Sequence, residues 1–544
     1  MEEEEKRVYI HPVKEEDSED SHKNQITPDQ SFDEDEWKEI NPEEYTKSLE
    51  AEERAPQTTI EITDDIKDPV KFYHYFFPRS LFRFIAEQTN IYFFQFTEIL
   101  GDALGGDFPK SRLRRWEDVT TDQMKSFCGI LFLMGINRRT NIKDHWSKDK
   151  NLVSPVADII PQNRFDLIYR FIHLSNIETS PRKKDKIAIF LNKLVEIWNK
   201  FYIPSSKLAL DETTVGYKGR TEYLQYNKNK PDKLGLKFFS LADSANHYML
   251  NMKLYEGRKH PLLKGLNLSE TATFQMLSPY KGKKYCVYMD SYFSSPTLFK
   301  TLSKNGFDCI GTVRRSRKGF SKEIQDKQTT QGDIVIYTNN DMQFMIWDDK
   351  NIINVMSTIQ NTETVQKERR NRRSHGVSKI TKPKIICDYI KHMRGVDLSD
   401  QMSGYYTMDT KHLKWWRACF LRLLNINMTN CYIFYITFID KTMTHKKFVT
   451  LVVEDMINSY CWIERPALTI DATKFFLKNH QNKARLCKQC QKSSGKRRTS
   501  LFLCKLCGKP VCSFCYVPHI ETVHIQSDDD DDEEDEEESS DSSI

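Results

Sequence analysis

The chain has 544 residues, of which 39% are hydrophobic and 29% are charged. That length accommodates three or four domains with apolar cores. No apolar run has the length needed to cross a membrane, and the charged first residues lack the apolar core of a signal peptide. The composition therefore excludes an integral membrane protein and predicts a soluble, intracellular one.

The net charge of +4 conceals a strong separation of acidic from basic residues. Residues 1–68 hold 24 acids and 8 bases, and the last 17 residues hold 12 acids and no base. The 459 residues between them hold 73 bases and 41 acids, a surplus of 32 positive charges. A basic body with acidic ends predicts a protein that binds a polyanion, although an ordinary solvated surface is the alternative.

The first two hundred residues predict an acidic tail followed by helices. Residues 1–68 combine many acids with few long apolar runs and are predicted to be disordered. Across residues 69–206 the apolar residues recur at helical spacing, and Thr120 is placed as the N-cap of one segment. We therefore expect a helical domain, the first part of an all-α domain, over residues 69–206.

The pattern changes to that of strands at Lys207. Three strands, then a strand, a helix and another strand are predicted over residues 207–316, and the same domain resumes at residues 384–406. This order is typical of an α/β domain of the ribonuclease H type. The predicted strands cover residues 208–210, 234–241, 248–255, 284–289 and 307–313, and the helix covers residues 295–304.

The remaining segments differ in composition. A small β-rich insertion contains a basic loop at residues 366–373, and long apolar helices then form the second part of the all-α domain. The final acidic tail is predicted to be a disordered solubilising segment or a competitor for the basic module before it. The predicted segments are an insertion domain (317–383), helices (407–470), a basic linker (471–485), a cysteine-rich domain (486–526) and the acidic tail (527–544).

Three aspartates occupy settings that suit phosphoryl chemistry. Asp211 and Asp290 end apolar, strand-like runs, and Asp397 lies on a predicted helix. A single carboxylate after a strand is usually a turn cap, but this set can converge on one sheet edge. Such an oxygen cluster is what two Mg²⁺ ions need for nucleic-acid cleavage. Asp400 shares the helix face of Asp397, as a fourth carboxylate or as a surface charge.

A second metal centre is predicted near the C-terminus. Three Cys-x-x-Cys pairs and two histidines provide eight ligands, which suits two tetrahedral Zn²⁺ ions in a cross-braced module. The interleaved arrangement assigns one ion to Cys487, Cys490, Cys512 and Cys515, and the other to Cys504, Cys507, His519 and His524.

The cysteine module has two functional interpretations. RING-type ubiquitin ligases have similar cross-braced modules. However, residues 471–526 hold 11 bases and 2 acids, and Lys496, Arg497 and Arg498 lie between the first two cysteine pairs. This charge favours contact with phosphates over a protein groove.

Basic residues near the carboxylates are candidates for DNA contact, although each is also an ordinary choice for a solvated loop. Trp415 has two interpretations, as a core residue or as a platform for a displaced base. The candidate residues are Lys218, Arg220, Arg314, Arg315, Arg317, Lys318, Arg372, Arg373 and Trp415, together with the three basic residues of the cysteine module.

Over residues 70–525 the chain resembles the piggyBac family of transposases in the order and spacing of several motifs. These motifs are WEDVT at 116–120, FLMGI at 132–136, DET at 211–213, YMDSYF at 288–293, GTVR at 311–314, DYIKHMRGVD at 388–397 and DQ at 400–401. The position of Ile390 is usually Asn in this family.

The resemblance implies cut-and-paste DNA transposition, with excision through a hairpin on the transposon end and integration at TTAA. It implies that Asp211, Asp290 and Asp397 are the catalytic triad of a DDD-type enzyme and that Asp400 is the nearby fourth carboxylate. The split helical domain would bind DNA and dimerise, and the cysteine module would read transposon ends. We therefore expect a nuclear homodimer with two Mg²⁺ and two Zn²⁺ ions. The alternatives are a domesticated relative that binds DNA without cutting it and a ubiquitin ligase.

Overall fold

The computed structural model describes most of residues 37–463 and short segments beyond them. The described residues are 37–41, 52–104, 112–228, 233–264, 266–339, 341–370, 377–408, 414–463, 476–478, 485–487, 499–500, 502–505, 507–511 and 519. The chain divides into two compact units, residues 1–461 and residues 462–544. Among the described residues, no helix combines the length and apolar character that a membrane span requires.

Helices from both ends of the first unit pack together. Ser126 Oγ donates a hydrogen bond to the carbonyl of Ile457 at 2.9 Å, and Trp198 Nε1 donates to Asn427 at 2.8 Å. The two predicted parts of the helical domain are thus in contact. The α-helices of the described residues are α1 (Pro69–Phe72), α2 (Arg79–Leu104), α3 (Thr121–Ile136), α4 (Gln162–Phe171), α5 (Asp185–Phe201), α6 (Leu268–Leu277), α7 (Pro296–Lys304), α8 (Lys322–Asp326), α9 (Lys384–His392), α10 (Gly395–Ser403), α11 (Trp415–Phe438) and α12 (His445–Asn458).

Local sequence explains how two of these helices form. α3 begins at a capping box, in which the side chains of Thr120 and Gln123 each accept the other's backbone N–H at 3.2 and 3.1 Å. α11 is apolar on all sides and is buried along most of its length. Its buried Asn427 is paired, because its amide also donates to the carbonyl of Phe76 at 2.8 Å.

Ten strands of the first unit, counted within the described residues, form one mixed sheet. The strands of the chain are β1 (Lys38–Ile40), β2 (Gln57–Thr58), β3 (Tyr202–Ile203), β4 (Lys207–Gly216), β5 (Leu224–Tyr226), β6 (Leu234–Asp243), β7 (Met249–Leu254), β8 (Tyr285–Met289), β9 (Phe307–Thr312), β10 (Ile334–Thr338), β11 (Gln343–Asp348), β12 (Ile352–Ser357), β13 (Thr364–Arg370), β14 (Val377–Pro383), β15 (Phe476–Lys478), β16 (Arg485–Leu486), β17 (Thr499–Ser500) and β18 (Phe502–Cys504).

The order of this main sheet is β1-β10-β11-β12-β9-β8-β4-β6-β5, with β7 paired to β6. β8 runs parallel to both of its neighbours, β4 and β9, whereas the other pairs are antiparallel. α7 is the crossover between β8 and β9, as parallel strands require. The predicted α/β fold, a large sheet with helices, is confirmed.

Residues 1–68, which were predicted to be disordered, contain two short strands and a 3-10 helix at Asp64–Lys67. β1 pairs with β10 at the edge of the main sheet, and Trp37 beside it donates from Nε1 to the carbonyl of Gly319 at 2.8 Å. β2 pairs with β3. These strands are only three and two residues long, so they are too short to show an alternating pattern in the sequence.

The predicted insertion, residues 317–383, is also continuous with the main sheet. β12 pairs with β9, where Val355 lies opposite Thr312, and so joins β10 and β11 to the strands that carry the aspartates. Ile336 and Trp347 from the insertion share a core with Tyr288 of β8. The predicted basic loop begins as a strand, because β13 pairs with β14 in a hairpin.

Candidate active site

Three oxygen-bearing side chains lie at the same level of three neighbouring parallel strands. In the pairing register, Leu210 of β4 lies opposite Met289 of β8, which lies opposite Gly311 of β9. The next residues along the three strands are Asp211, Asp290 and Thr312. Asp290 and Thr312 lie at the carboxyl ends of β8 and β9, where α/β proteins commonly place functional groups. Asp211 lies within β4, because this strand continues to Gly216 and does not end at Leu210 as predicted.

Hydrogen bonds within the protein fix the turn that carries Asp290. Asp290 Oδ1 accepts the backbone N–H of Tyr292 at 2.9 Å, and Ser294 Oγ donates to the Asp290 carbonyl at 2.9 Å. A Cβ atom at Gly311 would lie 2.4 Å from Ser294 Oγ, so only glycine allows β9 this close to the turn. Arg317 donates to two carbonyls of the turn at 3.0 and 2.8 Å.

Asp397 reaches the same region from a helix. α10 begins beside β4, since a Cβ at Gly395 would lie 2.9 Å from the Cβ of Ala209. Ala209 and Asp211 project from the same face of β4, because they are two residues apart on a strand. Asp397 lies in the first turn of α10 and is exposed. The close approach at Gly395 therefore places the first turn of α10, and Asp397 with it, against the face of β4 that carries Asp211.

Asp400 connects three elements. Its Oδ1 accepts hydrogen bonds from Thr213 Oγ1 on β4 at 3.1 Å and from Arg422 Nη2 on α11 at 2.9 Å. The same guanidinium also donates to the Asp400 carbonyl at 3.0 Å. The predicted fourth carboxylate is thus engaged in an ion pair that joins α10, β4 and α11, and its direct part in catalysis stays a prediction.

Tyr389 of α9 lies among the carboxylates and was not among the predicted site residues. Its hydroxyl is 3.3 Å from Thr312 Oγ1. Burial raises the pKa of Tyr389 to about 12, with further contributions from the negative charges of Asp290, Asp211 and Asp397 and an opposing one from the Thr312 hydrogen bond. All three predicted catalytic carboxylates therefore lie close enough to one phenol to influence its charge.

The aspartate set is chemically suited to Mg²⁺, which prefers carboxylate oxygens and keeps several ligand positions for water and phosphate. The three carboxylates do not close into one cage. Among the described residues, only one group of three or more potential metal ligands has its ligand atoms within 4.8 Å of one another, and it consists of Cys504, Cys507 and His519.

That second group is built on a tight turn. The N–H of Gly508 donates to the carbonyl of Cys504 at 2.8 Å, and Gly508 has a φ of +67°, in the left-handed region that favours glycine. Cys507 Sγ lies 3.2 Å from His519 Nε2. The structure thus brings together three of the four ligands predicted for one zinc ion. Cys487 is buried outside this group, and Cys490, Cys512, Cys515 and His524 lie outside the described residues.

The predicted DNA-contact residues divide into three groups. Arg315 and Arg317 are engaged with backbone carbonyls. Trp415 is 7% exposed with its ring centroid 5.1 Å from that of Tyr223, which favours its interpretation as a core residue, and its contact with a base stays a prediction. The exposed residues are Lys218, Arg220, Arg314 and Lys318. The residues outside the described part of the chain are Arg372, Arg373, Lys496, Arg497 and Arg498.

Comparison with known proteins identifies the family. The family described as Transposase IS4 matches residues 68–432, which include every element that carries an aspartate of the site. Human PiggyBac transposable element-derived protein 3 is 24% identical over 350 residues, covering 62% of this chain and 58% of its own length. The chain belongs to the piggyBac family of transposases.

Other comparisons agree with this membership. Human PiggyBac transposable element-derived protein 5 is 22% identical over 387 residues, or 67% of this chain and 70% of that protein. The cryo-EM structure of the piggyBac transposase synaptic complex with hairpin DNA matches 84% of this chain and 98% of its own chain, with a TM-score of 0.63 at 20% identity. The fold is therefore that of piggyBac transposase, and the chain spans 58% of protein 3.

Sequence reasoning missed residues that support the predicted aspartates in this piggyBac relative. Lys237 pairs with Glu212 and holds its Nζ 3.9 Å from the ring centroid of Tyr292, beneath the Asp290 turn. Arg422, which neutralises Asp400, is one of two arginines on the largely apolar α11, and an arginine in such a helix is the signal that could have identified it. Ile390, the departure from the family motif, is exposed on α9.

Proposed function

We propose that this chain is a DNA transposase that cuts and joins DNA by phosphoryl transfer at Asp211, Asp290 and Asp397. The observation that carries the proposal is the common level of Asp211 and Asp290 on parallel strands, with α10 packed across β4. Within that proposal, β6, β4, β8 and β9 form a ribonuclease H-like core. The parallel trio with an antiparallel neighbour and a carboxylate-bearing helix supports this interpretation.

The chain's own residues prepare this site before any ion binds. Hydrogen bonds to the Asp290 turn fix the direction of its carboxylate, and α10 brings Asp397 to the same sheet face as Asp211. The phenol of Tyr389 keeps its proton at neutral pH, as an ordinary tyrosine does, and burial raises its pKa further, so it remains a donor for a phosphate oxygen. Mg²⁺ held by the three aspartates would supply activation of the attacking oxygen and stabilisation of the leaving 3′ oxygen.

The proposed reaction needs no covalent enzyme intermediate. Water attacks a phosphodiester at the transposon end, the P–O3′ bond breaks, and a 3′-OH is released. This 3′-OH attacks a phosphodiester of the opposite strand, whose P–O3′ bond to the flanking DNA breaks, so that a hairpin closes and the flank leaves with a 3′-OH. The resemblance to the family supports this order and integration at TTAA. The similar solved structure is a synaptic complex with hairpin DNA, which supports binding of DNA ends by this chain. That the protein acts as a homodimer in the nucleus is part of the proposal and rests on the resemblance to the family.

The cysteine module is proposed to be structural. Cys504, Cys507 and His519 present two sulfurs and one nitrogen, the donor set that tetrahedral Zn²⁺ prefers. His524 completes this site in the proposed arrangement. The second zinc site of the proposal takes Cys487, Cys490, Cys512 and Cys515.

A strand-cleavage assay on TTAA-flanked duplexes tests the proposed activity. The full-length protein should nick these duplexes in Mg²⁺ and form hairpins, whereas Asp290→Asn should bind the same DNA without nicking it. Lys67→Met, on the surface beside Asp64, serves as a control substitution that should nick normally. If the Asp290→Asn protein nicked DNA at the rate of the unsubstituted protein, the proposed active site would be wrong.

The second candidate function is DNA binding without cleavage. The human relatives are named as transposable element-derived proteins, and Ile390 departs from the family motif. Binding of TTAA-flanked DNA without nicking by the unsubstituted protein would favour this candidate. Nicking restored by Ile390→Asn would then identify the departure as its cause.

A further inference from the structure

A group of basic residues surrounds Trp416, where the first turns of α5 and α11 meet. Lys186 Nζ lies 4.4 Å and Lys414 Nζ lies 5.6 Å from the centroid of the indole. The imidazole of His173 approaches the same ring edge-on at 5.6 Å. Trp416 is 6% exposed and thus provides a fixed aromatic surface that holds two ammonium groups close together.

A second layer of positive charge lies behind this ring. The Arg417 guanidinium donates to the carbonyl of Arg170 and lies 5.1 Å from the ring centroid of Tyr169. Arg170 in turn lies over the ring of Phe171 at 5.3 Å. We call the basic residues of both layers the Trp416 cluster, which consists of Arg170, His173, Lys186, Lys414 and Arg417.

The cluster has no carboxylate partner among the described residues, since no ion pair joins Lys186, Lys414 or Arg417 to an acid. Burial lowers the pKa of Lys186, and the positive charges of Lys414 and Lys183 lower it further. Burial also lowers the pKa of His173 to about 4, assisted by Lys186 and Arg417 and opposed by a backbone hydrogen bond. Burial is the larger cause of both shifts, and His173 is uncharged at neutral pH, so the repulsion in the cluster is among its lysines and arginines. An anion bound beside them would relieve that repulsion.

The cluster also contains hydrogen-bond donors without acceptors. Trp416 Nε1 and Arg417 Nε are buried and have no hydrogen-bond partner within the described structure. α11 begins at Lys414 without a side-chain cap, so its first backbone N–H groups and its helix dipole add to the positive potential there. The two buried donors do not reach solvent, so the features that favour an oxyanion are the positive charge and the uncapped start of α11.

We propose that the Trp416 cluster binds the phosphodiester backbone of duplex DNA, with Lys186 and Lys414 as the two phosphate-contacting residues. This inference rests on the proposed function, because that function supplies DNA as the ligand. The indole of Trp416 supports the two cations, while Trp415 stays in the core against Tyr223. Phosphate contact carries no sequence information, so the cluster positions DNA and does not select it.

The test is a salt titration of the affinity of the full-length protein for a TTAA-flanked duplex. Each lost phosphate contact lowers the slope of log K against log salt by about 0.9 and lowers the affinity at 0.1 M salt about eightfold. Lys186→Met with Lys414→Met should therefore lower the slope by about 1.8. Lys186→Arg should keep the slope, because it retains the charge.

Lys125→Met is the matched control. Lys125 Nζ also lies over an aromatic ring, that of Tyr73 at 5.7 Å, but it pairs with Asp455 at 3.0 Å. This substitution removes one positive charge of the same kind from a neutralised position, and it should leave the slope unchanged. Melting temperatures of all variants verify that they fold.

The outcomes separate this inference from the proposed function. An unchanged slope in the double variant, or an equal loss of slope in Lys125→Met, overturns the inference. If the unsubstituted protein nicks DNA in that case, the proposed function stands without it. If the unsubstituted protein binds no DNA at all, both are overturned.

Discussion

The aspartate site and the cysteine module differ in what holds their metal ligands in place. Asp211 lies within β4 and Asp290 directly follows β8 of a sheet that has ten strands within the described residues, and hydrogen bonds fix the Asp290 turn. Cys504 and Cys507 lie beside strands of two or three residues, and the described pairings there are short. We therefore expect the first scaffold to form without an ion, whereas we expect metal ligation to supply much of the stability of the second.

Removing zinc should give the largest effect on stability. Structural zinc contributes about 10–16 kcal/mol of apparent binding free energy, and in a small module this energy stabilises the fold. We expect Cys504→Ser to lower the zinc content from two ions per chain to one and to make residues 462–544 sensitive to protease. Elemental analysis and limited proteolysis measure both effects. A module that stays folded and protease-resistant without zinc would contradict the view that the metal stabilises it.

Removing a carboxylate should instead abolish activity and spare the fold. We expect Asp211→Asn, Asp290→Asn and Asp397→Asn each to slow nicking by more than about a hundredfold, since even losing a partner of a metal ligand costs about 10- to 100-fold. Thermal unfolding and DNA affinity should stay close to those of the unsubstituted protein. Unfolding of the first unit in any of these variants would show that its scaffold also depends on the carboxylates.

Substitutions at Asp400 test whether this carboxylate contributes to stability or to catalysis. Its charged hydrogen bond with Arg422 is partly buried, so Asp400→Asn and Arg422→Met should each lower the free energy of unfolding by about 2 kcal/mol. If Asp400 only joins α10 to α11, both variants should nick DNA at low temperature. Loss of nicking in Asp400→Asn alone would identify it as a fourth catalytic carboxylate.

Tyr389 should give the smallest effect. Tyr389→Phe removes one hydrogen bond to Thr312, which is worth about 1 kcal/mol, and leaves the carboxylates in place. We expect a small fall in the free energy of unfolding. We also expect the nicking rate to fall much less than it does in the aspartate variants. Single-turnover rates measured with Thr312→Val as the matched partner show whether the two hydroxyls act together.

The sequence predicted the elements of the first scaffold well, because strand and helix periods are local properties. Asp211 and Asp290 were identified from the apolar runs that they end. Their common level was not predictable, since it depends on pairing between β4 and β8, which lie far apart in the chain. The same limit applies to Arg317, whose hydrogen bonds to the Asp290 turn could not be predicted from the sequence, while its contact with DNA stays a prediction.

Other differences between prediction and structure concern burial, which depends on tertiary packing and not on the residue type alone. Trp415 and Trp416 are adjacent and flanked by basic residues, and nothing in the sequence indicates which face of α11 is buried. Trp37 lies in an acidic region that gives no sign of a core residue. Its burial depends on contacts with Phe320 and Phe344, which lie far along the chain. Cys504 and Cys507 were identified because their ligand spacing is local.

β1 has a practical consequence for any shortened version of this protein. It covers the backbone edge of β10 from Lys38 to Ile40, while the indole of Trp37 fills the adjoining aromatic pocket. A version that begins after Asn41 exposes that edge, and open strand edges of this kind recruit other chains. Loss of solubility in such a version would therefore reflect an uncovered edge, and a shortened protein should retain Trp37.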